Sequence, residues 1–509
     1  MRATDEKKFS TLDLREPMAL AARAIPPRLD PAQNFRPWFM LRGSNNIPTK
    51  PEHSTWDEGD MVGRYLESLI FSRRMGITSP ELAEAEARLQ KHLLDSLGAH
   101  GLVHDGPPVH SFSQGSALYG LLAWFEDTND AKVRAATERL ITGLLKRAEK
   151  NGNQLIDPHA KVPLCSGSHL AGYQIYPIIR FYELTGYSDA LKYSEGLTRW
   201  AMADLILGDD GEIKSTDSWA GHIHSWLDTL AGCVRVARNS SWPDREKIIA
   251  KCKAVYDWTR RSNTTSFGWV ATFPTHGSSE TCAISSAIRL ALELSACGHT
   301  EYLNDVERFV RNQVVEAQFK DLSAYNDGTN RATPLLIGCF DSQSMPNGHL
   351  GTRGGEDVGT VEGCCLNGGM RAIALAWDAI QKVDQRGLTV QLALSCKAHG
   401  GEVIGYQPFA GRVDVIPRLS GTVHVRVPDW VDHKKVSVLV DEKRAPFQWE
   451  NNFVRLDFVP TAKRISVRYP LREFEEDVYA TNKFHVRWKG DVVVGVDPPG
   501  KREPTYQNR

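Results

Sequence analysis

No apolar stretch of this chain approaches the roughly 20 residues that cross a bilayer. The opening residues, "MRATDEKKFSTLDLREP", also lack the apolar core of a secretory leader. Both absences point to a cytoplasmic protein without a membrane partner. Neither sign of charge is in excess, with 61 Lys and Arg against 62 Asp and Glu and a net charge of -1. Nucleic acid or an acidic surface would call for a basic face, so no nucleic-acid partner is expected. Basic runs such as "LLKRAEK" and "DHKKV" read as solvated faces. Cysteine is scarce: nine in 509 residues, an odd number, make no disulfide scaffold. In a reducing compartment clustered cysteines are more often ligands or nucleophiles than bridges.

What is present is helical for most of the length, and 509 residues are too many for one ordinary core. Between about residues 110 and 320 one format recurs four times: helix, short polar turn, helix. "SALYGLLAWFEDTNDAKVRAATERLITGLLKRAEKNG" and "HLAGYQIYPIIRFYELTGYSDALKYSEGLTRWAMADL" are two instances. Apolar residues return at three- and four-residue spacing, the mark of a buried stripe. An earlier pair begins at "WDEGDMVGRYLES", and a last helix follows "LNGG". Stacked αα-hairpins form an open solenoid or a closed toroid. The long inter-unit loops, rich in Gly, His, Trp and Asp, suit the toroid, where they gather at one end. After about Lys382 the period changes to two, in "GLTVQLALS", "GTVHVRVPDW" and "KRISVRYPL". The expected architecture is mainly α: an N-terminal extension over 1–50, an (α/α)6 toroid over 51–382, and a C-terminal antiparallel β-sandwich over 383–509. The end, "GDVVVGVDPPGKREPTYQNR", is expected to hold one more strand and a tail.

Two segments stand out. "SSETCA" sets Glu280 and Cys282 at the start of one helix, and "EGCCLNGG" sets Cys364 and Cys365 between glycines. Glu280, Cys282, Cys364 and Cys365 make a chemically sensible zinc set, and metal binding holds a thiol as a nucleophilic thiolate at neutral pH. The alternative is a buried Cys282 and a glycine-flanked turn. Two adjacent cysteines do not bury easily in a regular helix, so a turn before "LNGG" is expected to point both at one ion. The other six cysteines, Cys165, Cys233, Cys252, Cys297, Cys339 and Cys396, are read as core or incidental. "GHIHSW" offers His222 ahead of His224 as a site residue. Trp56, Asp57, Glu58, Asp60 and Arg64 in "WDEGDMVGR", with Asp217 and Trp219, are what sugar rings and hydroxyls require, although Asp57 or Asp60 could equally cap a helix. Thirteen tryptophans tilt the reading toward carbohydrate.

Together "SSETCA", "EGCCLNGG", "GHIHS" and, more loosely, "WDEGDMVGRYLES" resemble glycoside hydrolase family 127, the β-L-arabinofuranosidases and their uncharacterised relatives. The resemblance runs from about "WDEGD" to "RISVRYP". It implies a toroid followed by β-sandwich material and a Zn2+ site made by Glu280, Cys282, Cys364 and Cys365. It also implies Cys364 as a nucleophile forming a thioglycosyl intermediate with net retention, with His222 touching the sugar. The family's acid/base glutamate, about sixteen residues before the Glu of Glu-Thr-Cys, has no counterpart. Trp269 falls at that place, and no acid lies between Arg261 and Glu280. Substitutes for it are Glu362, Glu356, Asp357, Asp57, Asp60 and His276, each requiring a raised pKa and reach to the leaving oxygen.

The expected function is a retaining glycoside hydrolase with a zinc-bound cysteine nucleophile, acting on a small glycan. Catalysis is assigned to Cys364 with Glu362 or Glu356, and sugar binding to His222, Trp56, Asp60 and Trp269. Two other readings are a carbohydrate-binding protein with structural zinc, and a toroid lyase or uronyl hydrolase using loop carboxylates. The β-domain could cap the toroid or form a homodimer contact.

Overall fold

The structure is a computed structural model. It describes residues 12–44, 47–54, 56–99, 101–103, 111–148, 167–214, 220–274, 277–320, 334–349, 352–353, 356–357, 359–480, 482–500 and 504–506.

The helices in chain order are α1 (Arg15–Arg23), α2 (Val62–Arg74), α3 (Pro80–Asp95), α4 (Ser111–Thr128), α5 (Ala131–Arg147), the short α6 (Ser168–Gly172), α7 (Ile175–Thr185), α8 (Ser188–Met202), α9 (Ile223–Asn239), α10 (Arg245–Ser262), α11 (Thr281–Ser295), α12 (Leu303–Phe309) and α13 (Gly363–Ile380). Six of them form a closed inner ring, α2 against α4, α7, α9, α11, α13 and back to α2. The outer helices α3, α5, α8, α10 and α12 each pack on the inner helix that precedes them. α1 packs on α13 and α2, taking the remaining outer place. The toroid therefore closes with a helix drawn from the N-terminal segment.

Composition sorts the two rings. Outer α3 buries Leu82, Ala85, Leu89 and Leu93, one stripe at helical spacing. Inner α9 buries every residue from Ile223 to Val234, and α13 every residue from Gly363 to Ala374. Close approach requires small residues: a Cβ on Gly63 of α2 would lie 2.1 Å from the Ser116 carbonyl oxygen of α4. Charges inside the ring are paired, as burial demands. Arg371 Nη2 lies 2.6 Å from Glu67, and Arg289 Nη1 lies 2.7 Å from Asp228.

Beyond Ile380 the chain is β-structure. One sheet runs Cys396–Ala398, Gly401–Gly405, Arg412–Pro417, Ile465–Arg468, Ser437–Val440 and Lys443–Arg444 in spatial order. A second runs Gln448–Glu450, Phe453–Val459, Gly421–Arg426, Gly387–Val390 and Gln381–Asp384. The pairings are antiparallel, as expected, except Gly387–Val390 with Gly421–Arg426, which is parallel (Val423 opposite Leu388). The C-terminal stretch holds the one strand expected there, Val492–Asp497. It joins two strands that the sequence reading did not mark, Glu473–Tyr479 and Lys483–Lys489, in a three-stranded sheet.

Candidate active site

The two Glu-x-Cys segments fold alike. Glu280 precedes α11 with φ -101° and ψ 136°, and Glu362 precedes α13 with φ -95° and ψ 143°. Both are extended N-cap residues whose carboxylates make no capping bond to their own helix, so both are free to face inward. Cys282 is then the second residue of α11, and Cys364 and Cys365 are the second and third of α13. The expected turn before "LNGG" is helix instead. It accommodates two adjacent thiols because the first turn of an inner helix is buried on all sides. Gly368 lets the helices meet there, since a Cβ on it would lie 2.9 Å from Cys282 Cα.

The three sulfurs lie within 4.8 Å of one another, with Cys282 and Cys365 3.9 Å apart. Bonds of about 2.3 Å from a tetrahedral zinc put its sulfurs about 3.8 Å apart, so this buried cluster could hold a metal ion. Burial acts to raise the Cys365 thiol, yet hydrogen bonds from Cys282, Cys364 and Ser342 outweigh it and hold Cys365 well below the usual range. The neighbouring Cys282 and Cys365 sulfurs, with burial, push Cys364 well above it. A hydrogen bond from Cys364 pulls Cys282 down, but donation to Cys365 and burial leave it well above. Within the cluster Cys365 is therefore the sulfur whose ionised form is favoured, near the positive ends of two helices.

A cavity of about 260 Å³ opens beside the sulfurs. Cys282, Cys364, Glu280, Glu362, His222, His224, Asp60 and Arg64 supply its polar wall, and Phe39, Trp56, Phe112, Leu170 and Phe273 its apolar one. Such a division suits a sugar, whose hydroxyls and ring face need different partners. Glu362 Oε2 accepts from the Cys364 thiol at 3.4 Å. Its backbone is held by Ser342, whose hydroxyl accepts from the Glu362 N–H at 2.7 Å, and by the strand Met40–Ser44, which pairs with Gly359–Glu362. His222 Nδ1 lies 2.7 Å from Ser225 Oγ and Nε2 3.4 Å from Glu280 Oε2. Asp60 is paired with Arg64 Nε at 2.8 Å and accepts from the Ser116 hydroxyl.

Of the residues read from the sequence, Cys364, Cys282, Glu280, Glu362, His222, Trp56 and Asp60 line this one cavity, with Cys365 directly behind. Glu280 lies outside the three-sulfur group. Trp269 is not at the cavity: its buried indole donates to the Ser344 carbonyl at 3.0 Å, a packing role. Asp57 is also buried elsewhere, accepting from the Phe39 and Ser54 N–H groups at 2.9 and 3.0 Å. Glu356 and Asp357 lie in a short strand, Glu356–Asp357, paired with Thr352–Arg353. Cys165, Asp217, Trp219 and His276 fall outside the described residues. Among the described residues the other cysteines are free, and all but the half-buried Cys297 are buried. Phe39, Phe112, Phe273 and Ser342 escaped the sequence reading, because a single aromatic or serine in a loop or at a helix start carries no pattern of its own.

No family profile and no curated protein matches the sequence. Solved structures do. A family 127 β-L-arabinofuranosidase from Geobacillus stearothermophilus T6 superposes with a TM-score of 0.63 at 13% identity, covering 96% of this chain and 82% of its own. The fold is that of family 127. A second family 127 β-arabinofuranosidase gives 0.63 at 13% identity, covering 94% of this chain and 78% of its own. A sugar epimerase from a ruminal bacterium gives 0.52 at 12%, over 72% of this chain and 97% of its own.

Proposed function

We propose that this chain is a retaining glycoside hydrolase acting on a small neutral glycoside, with Cys364 as nucleophile and Glu362 as acid/base. The observation that carries the reading is the meeting of Cys282 and Cys364, on the wall of the aromatic-lined cavity, with Cys365 behind them. A zinc ion held by these sulfurs and the nearby Glu280 carboxylate would supply the charge that keeps Cys364 ionised at neutral pH. Trp56 and the paired Asp60 and Arg64 orient the sugar, and His222 hydrogen-bonds it. The Cys364 sulfur attacks the anomeric carbon, forming a C–S bond as the glycosidic C–O bond breaks, while Glu362 gives its proton to the leaving oxygen. Water then attacks the same carbon and loses a proton to Glu362, the C–S bond breaks, and two inversions give net retention. Glu362 takes this role because it is the cavity carboxylate beside the thiol, whereas Asp60 is committed to Arg64.

Elemental analysis of reduced, freshly purified protein tests this directly. About one zinc per chain is expected, lowered in Cys364→Ala and Glu280→Ala, with turnover of an aryl β-L-arabinofuranoside or a related aryl glycoside. Protein that carries no metal and turns over no aryl glycoside would sink the thiolate mechanism.

A further inference from the structure

His224 lines the cavity but has no part in the steps above. Its ring is buried, with 3% of its surface exposed. It stands edge-on to Phe112 and Tyr173, with centroids 5.8 and 5.7 Å away. Its Nδ1 lies 2.7 Å from Ser286 Oγ. That hydroxyl spends its own hydrogen on the Cys282 carbonyl at 3.1 Å, so it can only accept from the imidazole. Asp228 Oδ2, 3.7 Å from Nδ1, likewise favours a hydrogen there. The proton of the neutral ring is therefore fixed on Nδ1 and the lone pair on Nε2. Nε2 is buried and has no hydrogen-bond partner among the described residues. Such an atom is costly unless something donates to it. Burial, and the nearby His222, Arg64, Arg371 and Arg289, hold the ring well below the usual histidine range, so it stays neutral.

We infer that His224 Nε2 is a fixed hydrogen-bond acceptor that selects ligands presenting a hydroxyl group to it, hence a neutral sugar over one presenting a carboxylate there. This rests on the carbohydrate reading of the cavity and adds the sign of one contact. An oxygen bearing no hydrogen, such as a uronate carboxylate, would set lone pair against lone pair. A hydroxyl completes the only polar edge of the ring left open.

Two measurements on the full chain decide it. Nitrogen-15 spectra of histidine-labelled protein should show one ring with hydrogen on Nδ1 and a bare Nε2 from pH 5 to 9, absent in His224→Phe. A ring protonated at Nε2 or titrating in that range overturns the proposal. Equilibrium binding is then measured for the methyl thioglycosides of L-arabinofuranose, D-xylose, D-glucose and D-glucuronic acid, and for analogues with single hydroxyls replaced by fluorine. Replacement at one position should weaken binding to the wild type about ten- to hundredfold. In His224→Phe, or in His224→Gln if the former does not fold, that penalty should shrink to within about threefold. A penalty unchanged in the variants, no penalty at any position, or preferred binding of the glucuronide overturns it, leaving Nε2 to a bound water only. Sugars that bind with this coupling but whose aryl counterparts are not turned over would refute hydrolysis and leave His224 standing. Failure of every sugar to bind refutes both.

Discussion

Glu280 and Glu362 hold the same position, an extended N-cap two residues before a thiol, yet their surroundings give them different work. Glu280 faces His222 at 3.4 Å, and Glu362 faces the Cys364 thiol at 3.4 Å. Glu362→Gln keeps the shape and removes the exchangeable proton. It should lower kcat about 10²- to 10⁴-fold on substrates with poor leaving groups, with metal content unchanged. Steady-state kinetics on aryl glycosides of graded leaving-group pKa check this, and equal losses across the series would argue against an acid role. Asp305 makes a different residue-scale case. Burial pushes its carboxyl up to about 6 against the pull of Arg260 and the Tyr256 hydroxyl. A folded pKa above the unfolded value means stability that is complete below about pH 3.8 and lost as pH rises through 6. Asp305→Asn abolishes that slope, so its stability relative to wild type should improve by about 3 kcal/mol between pH 3.5 and 7.5, measured by urea unfolding. At this scale the sequence was informative where chemistry is local: Glu-x-Cys and Cys-Cys are legible as ligand patterns. His224 was legible only as a weak second to His222, because its tautomer depends on Ser286 and Cys282, which lie about sixty residues away along the chain.

Elements bring those residues together. α11 and α13 approach at Gly368, where a Cβ would stand 2.9 Å from Cys282 Cα and 3.0 Å from its nitrogen. Gly368→Ala must force the two helices apart where the sulfurs meet. A cost of about 1–3 kcal/mol is expected, with weaker zinc retention against a chelator. Thermal unfolding and competition titration measure the two effects, and a fall in stability with unaltered metal binding would show that the sulfurs follow the helices less closely. Helical elements were readable from periodicity, since outer helices such as α3 bury one stripe. Of the final sheet only its last strand, Val492–Asp497, was. "EFEEDVY" alternates Phe474, Glu476 and Val478 with charges and is mostly exposed, so it shows little of a buried strand's pattern. The parallel pairing of Gly387–Val390 with Gly421–Arg426 is also invisible locally, because strand direction is set by the path of the chain between them.

At the scale of the molecule, the toroid and the β-domain are joined through charges. Glu307 on α12 pairs with Arg311 at 3.0 Å, accepts from the Ala393 N–H at 3.0 Å, and receives Arg426 from the strand Gly421–Arg426. Arg426 Nη1 also donates to Asn304 Oδ1 at 2.5 Å, and Arg308 pairs with Asp491 at 2.8 Å. All of these groups except the partly exposed Arg308 are buried, so removing one partner leaves another uncompensated. None of this was legible in the sequence, where a Glu on a helix and an Arg on a strand some hundred residues later read as two solvated faces. Glu307→Ala strands Arg311 and Arg426 and should cost about 3–5 kcal/mol. The loss should fall on the junction, so that calorimetry resolves two transitions where the wild type shows one. Glu307→Ala combined with Arg426→Met removes the second charge as well and should recover part of the loss. If the single variant unfolds in one transition with unaltered Tm, the domains are held by apolar contact, and the buried charges only set their register.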